Sequence, residues 1–182
     1  MDYETYQKIK KGNARTLENM ISTYLKKAWF ISYQLTKNVC RGAPLLIKAW
    51  KISIEQITNA QTVPKEDFRE ILHYNLLKLY LIGVQEDPDF ESIPIPKVAQ
   101  KYQPFVKEIE SLSDDLRPLY LMNIYGNIST NRLAEILGIP VESVSKSIKQ
   151  ATEYISHKSG ALRRDKWATR VQLSAEFRNP SD

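Results

Sequence analysis

The stretch Ile128–Ile155, ISTNRLAEILGIPVESVSKSIKQATEYI, decides the fold, because its residues lay out two helices joined by a tight turn. Ser129 is placed to cap a first helix in which Leu133, Ala134, Ile136 and Leu137 recur at helical spacing, and Gly138 stands where a helix end needs a left-handed residue. Pro140 fits the first turn of a second helix, where an N–H has no partner to lose, and Val144, Ile148, Ala151 and Ile155 form one apolar stripe along it. The opposite face carries Ser143, Ser145, Lys146, Lys149 and Gln150, and Arg132 joins them from the first helix. Short hydroxyls, amines and amides of this kind reach phosphates and base edges when a helix lies in a major groove. The same residues also describe an antiparallel helix pair with a solvated outer face.

Charge is distributed unevenly around this stretch. The chain has 182 residues and a net charge of +5, but residues 1–60 carry +6, residues 61–111 carry −3 and residues 112–182 carry +2. Within the last segment, Lys146 to Arg170 has a local +5 that begins on the second helix. Such a stripe favours a polyanion through counterion release, although a solvated helix face accounts for it too. The single cysteine, Cys40, excludes a disulfide scaffold and a thiolate metal cluster. No basic start with an apolar core opens the chain, and no run of about eighteen apolar residues occurs, so a cytoplasmic protein without membrane insertion is expected.

Upstream, the period is helical throughout. Tyr3, Tyr6, Ile9 and Lys10 predict a short helix stopped by Gly12, with Asn13 capping the next. That long helix places Leu17, Met20, Ile21, Tyr24, Leu25, Ala28, Trp29, Ser32 and Leu35 on one face, which is assigned to the core. A break at Asn38 to Gly42 precedes a helix started by Pro44 and running to about Ile57. A further helix from Lys65 to about Ile82 aligns Phe68, Ile71, Leu72, Asn75, Leu76 and Leu79. After Gly83 come Pro88, Pro94, Pro96 and Pro104 in an acidic stretch, which opposes continuous helix and predicts a linker crossed by few contacts. The expected fold is all-α: an N-terminal helical domain (1–84), a proline-containing acidic linker (85–110), a helix-turn-helix domain (111–158) and a basic C-terminal extension (159–182). In that extension, residues 161–177 suit either a disordered basic tail, a helix that binds a protein or flanking phosphates, or a helix that packs Trp167 on the helix-turn-helix, the last being favoured because the indole gains from burial.

Catalysis finds no constellation. His73 and His157 fall on different modules without carboxylates at ligand spacing, no glycine-rich phosphate loop occurs, and Asp114 and Asp115 are read as a helix cap. A non-enzymatic protein without cofactor or metal is expected. Trp29, Trp50, Tyr74 and Tyr80 suit either stacking on unpaired bases or a place in the core; Trp29, on the apolar stripe, is assigned to the core and Tyr74 stays open.

Together with LSDDLRPLYLMNIYGN (Leu112–Asn127), the helix-turn-helix resembles the C-terminal region of bacterial RNA polymerase sigma factors. The likeness lies in Leu112, the run Leu119 to Ile124, Ala134-Glu135 before Ile136-Leu137-Gly138-Ile139, and Val144 with Ile148-Lys149-Gln150-Ala151. YQKIKKGNARTLENMISTYLKKAWFISYQLT, with its Lys11-Gly12-Asn13 break, Leu17 and Tyr24-Leu25, then the helix Ala43 to Ile57 and Phe68-Arg69, is similar to the N-terminal region of the small extracytoplasmic-function type. The resemblance implies a sigma region 2-like bundle and a region 4-like module. It also implies core RNA polymerase and promoter DNA as partners, and an anti-sigma factor as a candidate third. The upstream, minus-thirty-five element would be read by the second helix. The downstream, minus-ten element would fall to the helix FREILHYNLLKLYLIG, with Arg69, His73, Tyr74, Lys78 and Tyr80 as its candidates. Apart from the resemblance, Asn59 and Gln61 in the loop Thr58–Lys65 carry amides that pair with base edges, and the same loop also reads as a plain polar connection. Two departures stand out: Pro44, Leu45, Lys48 and Ala49 occupy the clamp-docking helix where the family usually shows acids, and FREILHYNLLKLYLIG lacks the usual Arg- and Asn-rich face. They keep a second reading open, a degenerate sigma-like regulator that binds DNA or polymerase without opening promoters.

Overall fold

The computed structural model describes residues 1–158, and every regular element among them is helical. Four helices make the N-terminal half: α1 (Tyr3–Lys10), α2 (Ala14–Thr36), α3 (Val39–Asn59) and α4 (Phe68–Ile82). Each begins at a short polar side chain that accepts an otherwise unpaired backbone N–H. Asp2 accepts from Thr5 at 2.8 Å, Asn13 from Thr16 at 3.0 Å, Asn38 from Arg41 at 3.2 Å and Asp67 from Glu70 at 2.8 Å. Glu70 returns the bond to the Asp67 N–H at 3.2 Å, which completes a capping box and starts α4 at Phe68 rather than at Lys65.

Helix α3 starts earlier than Pro44. Asn38 caps it, so Pro44 lies in its second turn, where it has no N–H to give the carbonyl of Cys40. That carbonyl is taken instead by the N–H of Asp87, at 2.9 Å, from the acidic segment. The segment is held elsewhere too: Glu86 pairs with Arg41 at 2.8 Å, and the Trp29 indole N–H donates to the Pro94 carbonyl at 3.3 Å. It also contains short 3-10 turns at Pro88–Phe90 and Gln100–Tyr102 and the helix α5 (Gln103–Glu110), with Pro104 in the first turn. Prolines here begin elements as much as they interrupt them, so residues 85–110 are not the sparsely contacted linker that their composition predicts.

Ile31, Leu45, Ile57, Leu72 and Leu76 are fully buried in the bundle of α2, α3 and α4, and α1 packs on α3 with Tyr6 and Ile9 buried. The Tyr6 hydroxyl donates to the Ala60 carbonyl at 2.6 Å and so ties α1 to the end of α3. Phe68 packs its ring against Tyr24 and Trp50, with centroids 5.6 and 5.0 Å away. Not all of the α2 stripe is covered: Ile21 and Leu25 remain 41% and 42% exposed, while the line Met20, Lys27, Ala28 and Ile31 turns inward. Helical period identifies a wide apolar face, and the neighbouring helices reach only part of it.

The C-terminal half consists of α5, α6 (Leu116–Tyr120), a π-helical turn (Leu121–Tyr125), α7 (Thr130–Leu137) and α8 (Val141–Lys158). Asp114 and Asp115 do not cap α6 with their side chains. The N–H groups of Leu116 and Arg117 go to the Ser113 carbonyl at 3.2 and 3.0 Å, and Asp114 pairs with the buried guanidinium of Arg117. In the π turn Gly126 donates to Leu121 and Ile128 to Met122, which brings chain against chain so closely that a Cβ on Gly126 would stand 2.5 Å from the Met122 oxygen. Gly126→Ala should therefore destabilise by about 1–3 kcal/mol. Thermal melting checks this, and an unchanged midpoint would mean that the turn relaxes freely.

The two halves share one core. Phe30 of α2 meets Tyr125 with ring centroids 5.6 Å apart, the Nδ1–H of His73 donates to the Gly126 carbonyl at 2.9 Å, and Gln34 donates to Glu110 at 3.3 Å. Among the described residues no helix is long and apolar enough to cross a membrane. The helix expected at 161–177, with Trp167, lies outside the described residues.

Candidate nucleic-acid interface

Three residues of turn separate α7 from α8. Ser129 accepts the Arg132 N–H at 3.3 Å, Gly138 ends α7 at φ +65°, and its N–H returns to the Ala134 carbonyl. Pro140 falls just before α8 rather than within it; its carbonyl receives the N–H groups of Ser143 and Val144 at 3.0 and 3.2 Å and so opens the helix. Val144, Ala151 and Ile155 are buried against the preceding helices, with Ile148 half-buried beside them. This fixes the rotation of α8 about its own axis. Ser143, Ser145, Lys146, Lys149 and Gln150 are consequently all exposed on the other side. Lys149 reaches Glu153 at 3.9 Å, a pair exposed at both ends and worth little against a phosphate.

Arg132 stands apart from that face. It forms an ion pair with Glu135 at 2.6 Å, and its guanidinium lies over the ring of Tyr74 on α4, 4.6 Å from the centroid. Hydrogen bonding to Glu135 raises its pKa further, so it stays a cation. Lys78 also lies over Tyr74, at 5.6 Å. Tyr74 is half-buried under two cations rather than presented to an unpaired base.

The remaining downstream candidates divide. Asn59, Gln61 and Lys78 are exposed. His73 is 1% exposed and bonded to Gly126, so it is a structural residue at the junction of the halves and not a promoter contact. Burial first, then the positive charges of Lys27 and Arg69, push its pKa down to about 4, against the pull of the Gly126 carbonyl and of Asp67. Trp29 and Trp50 are both half-buried against neighbours, Trp29 under the acidic segment and Trp50 against Phe68.

Between α4 and the start of α7 lies a cleft of about 870 Å³, lined by Glu66, Glu70, Tyr74 and Lys78 from one half and by Asn123 and Arg132 from the other. Its carboxylates sit beside its cations, so it is no simple track for a phosphate backbone. Sequence reasoning missed this junction, although α4 offered a sign of it. Leu72 and Leu76 fill one side of the helix while His73 and Leu77 are just as buried on another, and a helix apolar on more than one side is covered twice. No group of three or more metal-ligating side chains occurs among the described residues. Comparison of the sequence with protein-family models finds no match, and comparison with curated proteins finds none either.

Proposed function

We propose that this chain is a sigma-type promoter-specificity factor of the bacterial cytoplasm, non-enzymatic, that joins core RNA polymerase and reads the upstream promoter element through α8. The observation that carries the reading is the division of α8: Val144, Ala151 and Ile155 anchor one face, and Ser143, Ser145, Lys146, Lys149 and Gln150 stand exposed together on the other. A helix so anchored behind a short turn can enter a major groove with hydroxyls and amines in reach of base edges and phosphates. Lys146→Ala and Lys149→Ala should each weaken binding to upstream DNA, with the salt slope falling by about 1 wherever the removed amine neutralised a phosphate. Ser145→Ala should alter sequence preference instead. Transcription by purified core enzyme from a randomised promoter library supplies the DNA for these measurements; wild-type binding, preference and salt slope in all three variants would exclude α8 as the reading element.

A second reading is favoured by α3. Its outer face exposes Lys48 and Lys51, cations where clamp docking in the resembled family uses acids, while Leu45 and Ala49 are fully buried. A sigma-like regulator that binds DNA without opening promoters fits that face. Retention of core RNA polymerase on the immobilised protein separates the two, and an anti-sigma factor remains a candidate partner of either.

A further inference from the structure

A second pocket, of about 370 Å³, opens where the end of α2, the start of α3, the end of α4 and α6 meet. Three cations line it, each delivered by a different element: Lys37 from the cap of α2, Arg41 from the first turn of α3 and Arg117 from α6. Half-buried Tyr80 and Val84 give it an apolar wall. A concave site with such a wall and a few convergent charges is the form that small-molecule sites take.

The protein itself matches these charges poorly. Arg117 is 4% exposed, and its guanidinium has five N–H donors to place. Nη2 donates to the Leu112 carbonyl at 3.1 Å and to Asp114, while the buried Nε–H has no hydrogen-bond partner among the described residues. Asp114, the acid that lines the pocket with the cations, is 89% exposed, so water screens it. Arg41 pairs at 2.8 Å with a half-exposed Glu86 from outside the lining, and Lys37 donates to a neutral group, the Glu110 carbonyl. Holding a guanidinium away from water is costly unless its counter-charge sits beside it in the same low dielectric.

We propose that this pocket binds a small phosphate-bearing molecule, its phosphate held by Lys37, Arg41 and Arg117. Charge favours phosphate over carboxylate. The three cations less Asp114 leave the lining at +2, and a phosphate monoester carries about −1.5 to −2 at neutral pH. Its three terminal oxygens accept donors from three directions, as the three elements present them. Two of the cations are guanidinium groups, whose planar fork matches a phosphate with paired bonds. The pocket shares no residue with the exposed face of α8, so the proposal goes beyond the promoter reading and stands without it.

Phenyl phosphate is the probe, because it joins the charged group to an aromatic body for the wall of Tyr80 and Val84. Calorimetric titration of the full-length protein at fixed ionic strength should show saturable binding to a single site. Lys37→Gln and Arg41→Gln, both at exposed positions, should each weaken it about tenfold, the loss expected for one charge-assisted hydrogen bond. Arg117→Lys keeps the charge but gives up the fork, and should weaken binding at least as much; the two exposed variants keep the test sound if the buried one fails to fold. Lys8→Gln removes the same charge from α1, outside the lining, and should leave affinity unchanged. Benzoate should bind at least about tenfold more weakly than phenyl phosphate. Absence of saturable binding overturns the proposal, as does wild-type affinity in both exposed variants. An equal loss in Lys8→Gln would reveal a general charge effect and overturn it too, and equal binding of benzoate would overturn the phosphate assignment. Displacement of the probe by a short random-sequence duplex would give the pocket to a nucleic-acid backbone and overturn the small ligand.

Discussion

Phe30→Ala is expected to cost about 3–5 kcal/mol and to lower the melting of both halves of the molecule together. Phe30 is 2% exposed and its ring lies 5.6 Å from that of Tyr125, so truncation opens a cavity shared by α2 and the π turn. A native domain has only about 5–15 kcal/mol to lose, which makes this a large fraction. Chemical denaturation followed separately by a probe in α3 and a probe in α8 checks the coupling. A transition that shifts at α3 and stays in place at α8 would show that the halves fold independently.

Acid should destabilise the protein through His73, by the second largest margin. In the unfolded chain an imidazole takes its proton near pH 6.5, whereas the buried ring resists until about pH 4. Between these values the unfolded state binds more protons than the folded one, so stability falls as pH falls through that window. Full loss is about 3 kcal/mol, complete below the folded value and absent above the unfolded one. Exposed carboxylates such as Asp2 and Asp115, whose pKa values are lowered by hydrogen bonds from Thr5 and Ser113, add their own acid sensitivity at lower pH. The informative quantity is therefore the difference between wild type and His73→Leu. That difference should be flat above pH 6.5 and should change steadily in favour of the variant down to pH 4; parallel profiles would mean that the ring gains its proton without leaving its place.

Much of this architecture is legible before any coordinates, for identifiable reasons. Asn13, Ser129 and Gly138 mark helix ends by their own side chains or backbone, and such signals depend on nothing distant. The polar face of α8 is equally legible, because a single stripe of Val144, Ala151 and Ile155 fixes the rotation of the helix. What escapes the sequence depends on partners far along the chain. Pro44 is accommodated inside α3 because Asp87 arrives to use the carbonyl it leaves unpaired. Ile21 and Leu25 share a period with buried residues but have no helix above them. His73 reads as a polar residue available to DNA until the fold buries it with its ring bonded to the Gly126 carbonyl. Period shows which face is apolar, and only the tertiary arrangement shows what covers it.

The bond from Asp87 to Cys40 carries one more consequence, for inheritance rather than for stability. The Cys40 carbonyl is left to Asp87 because position 44 lacks a donor, so residues 44 and 87 are coupled through a third. Were position 44 to mutate to alanine, α3 would supply its own N–H to Cys40 and the acidic segment would lose its exclusive claim on that carbonyl. Among diverging descendants of this chain, a proline at position 44 and an acidic segment seated on α3 should be kept or lost as a pair, even though the substitution by itself restores a regular helix.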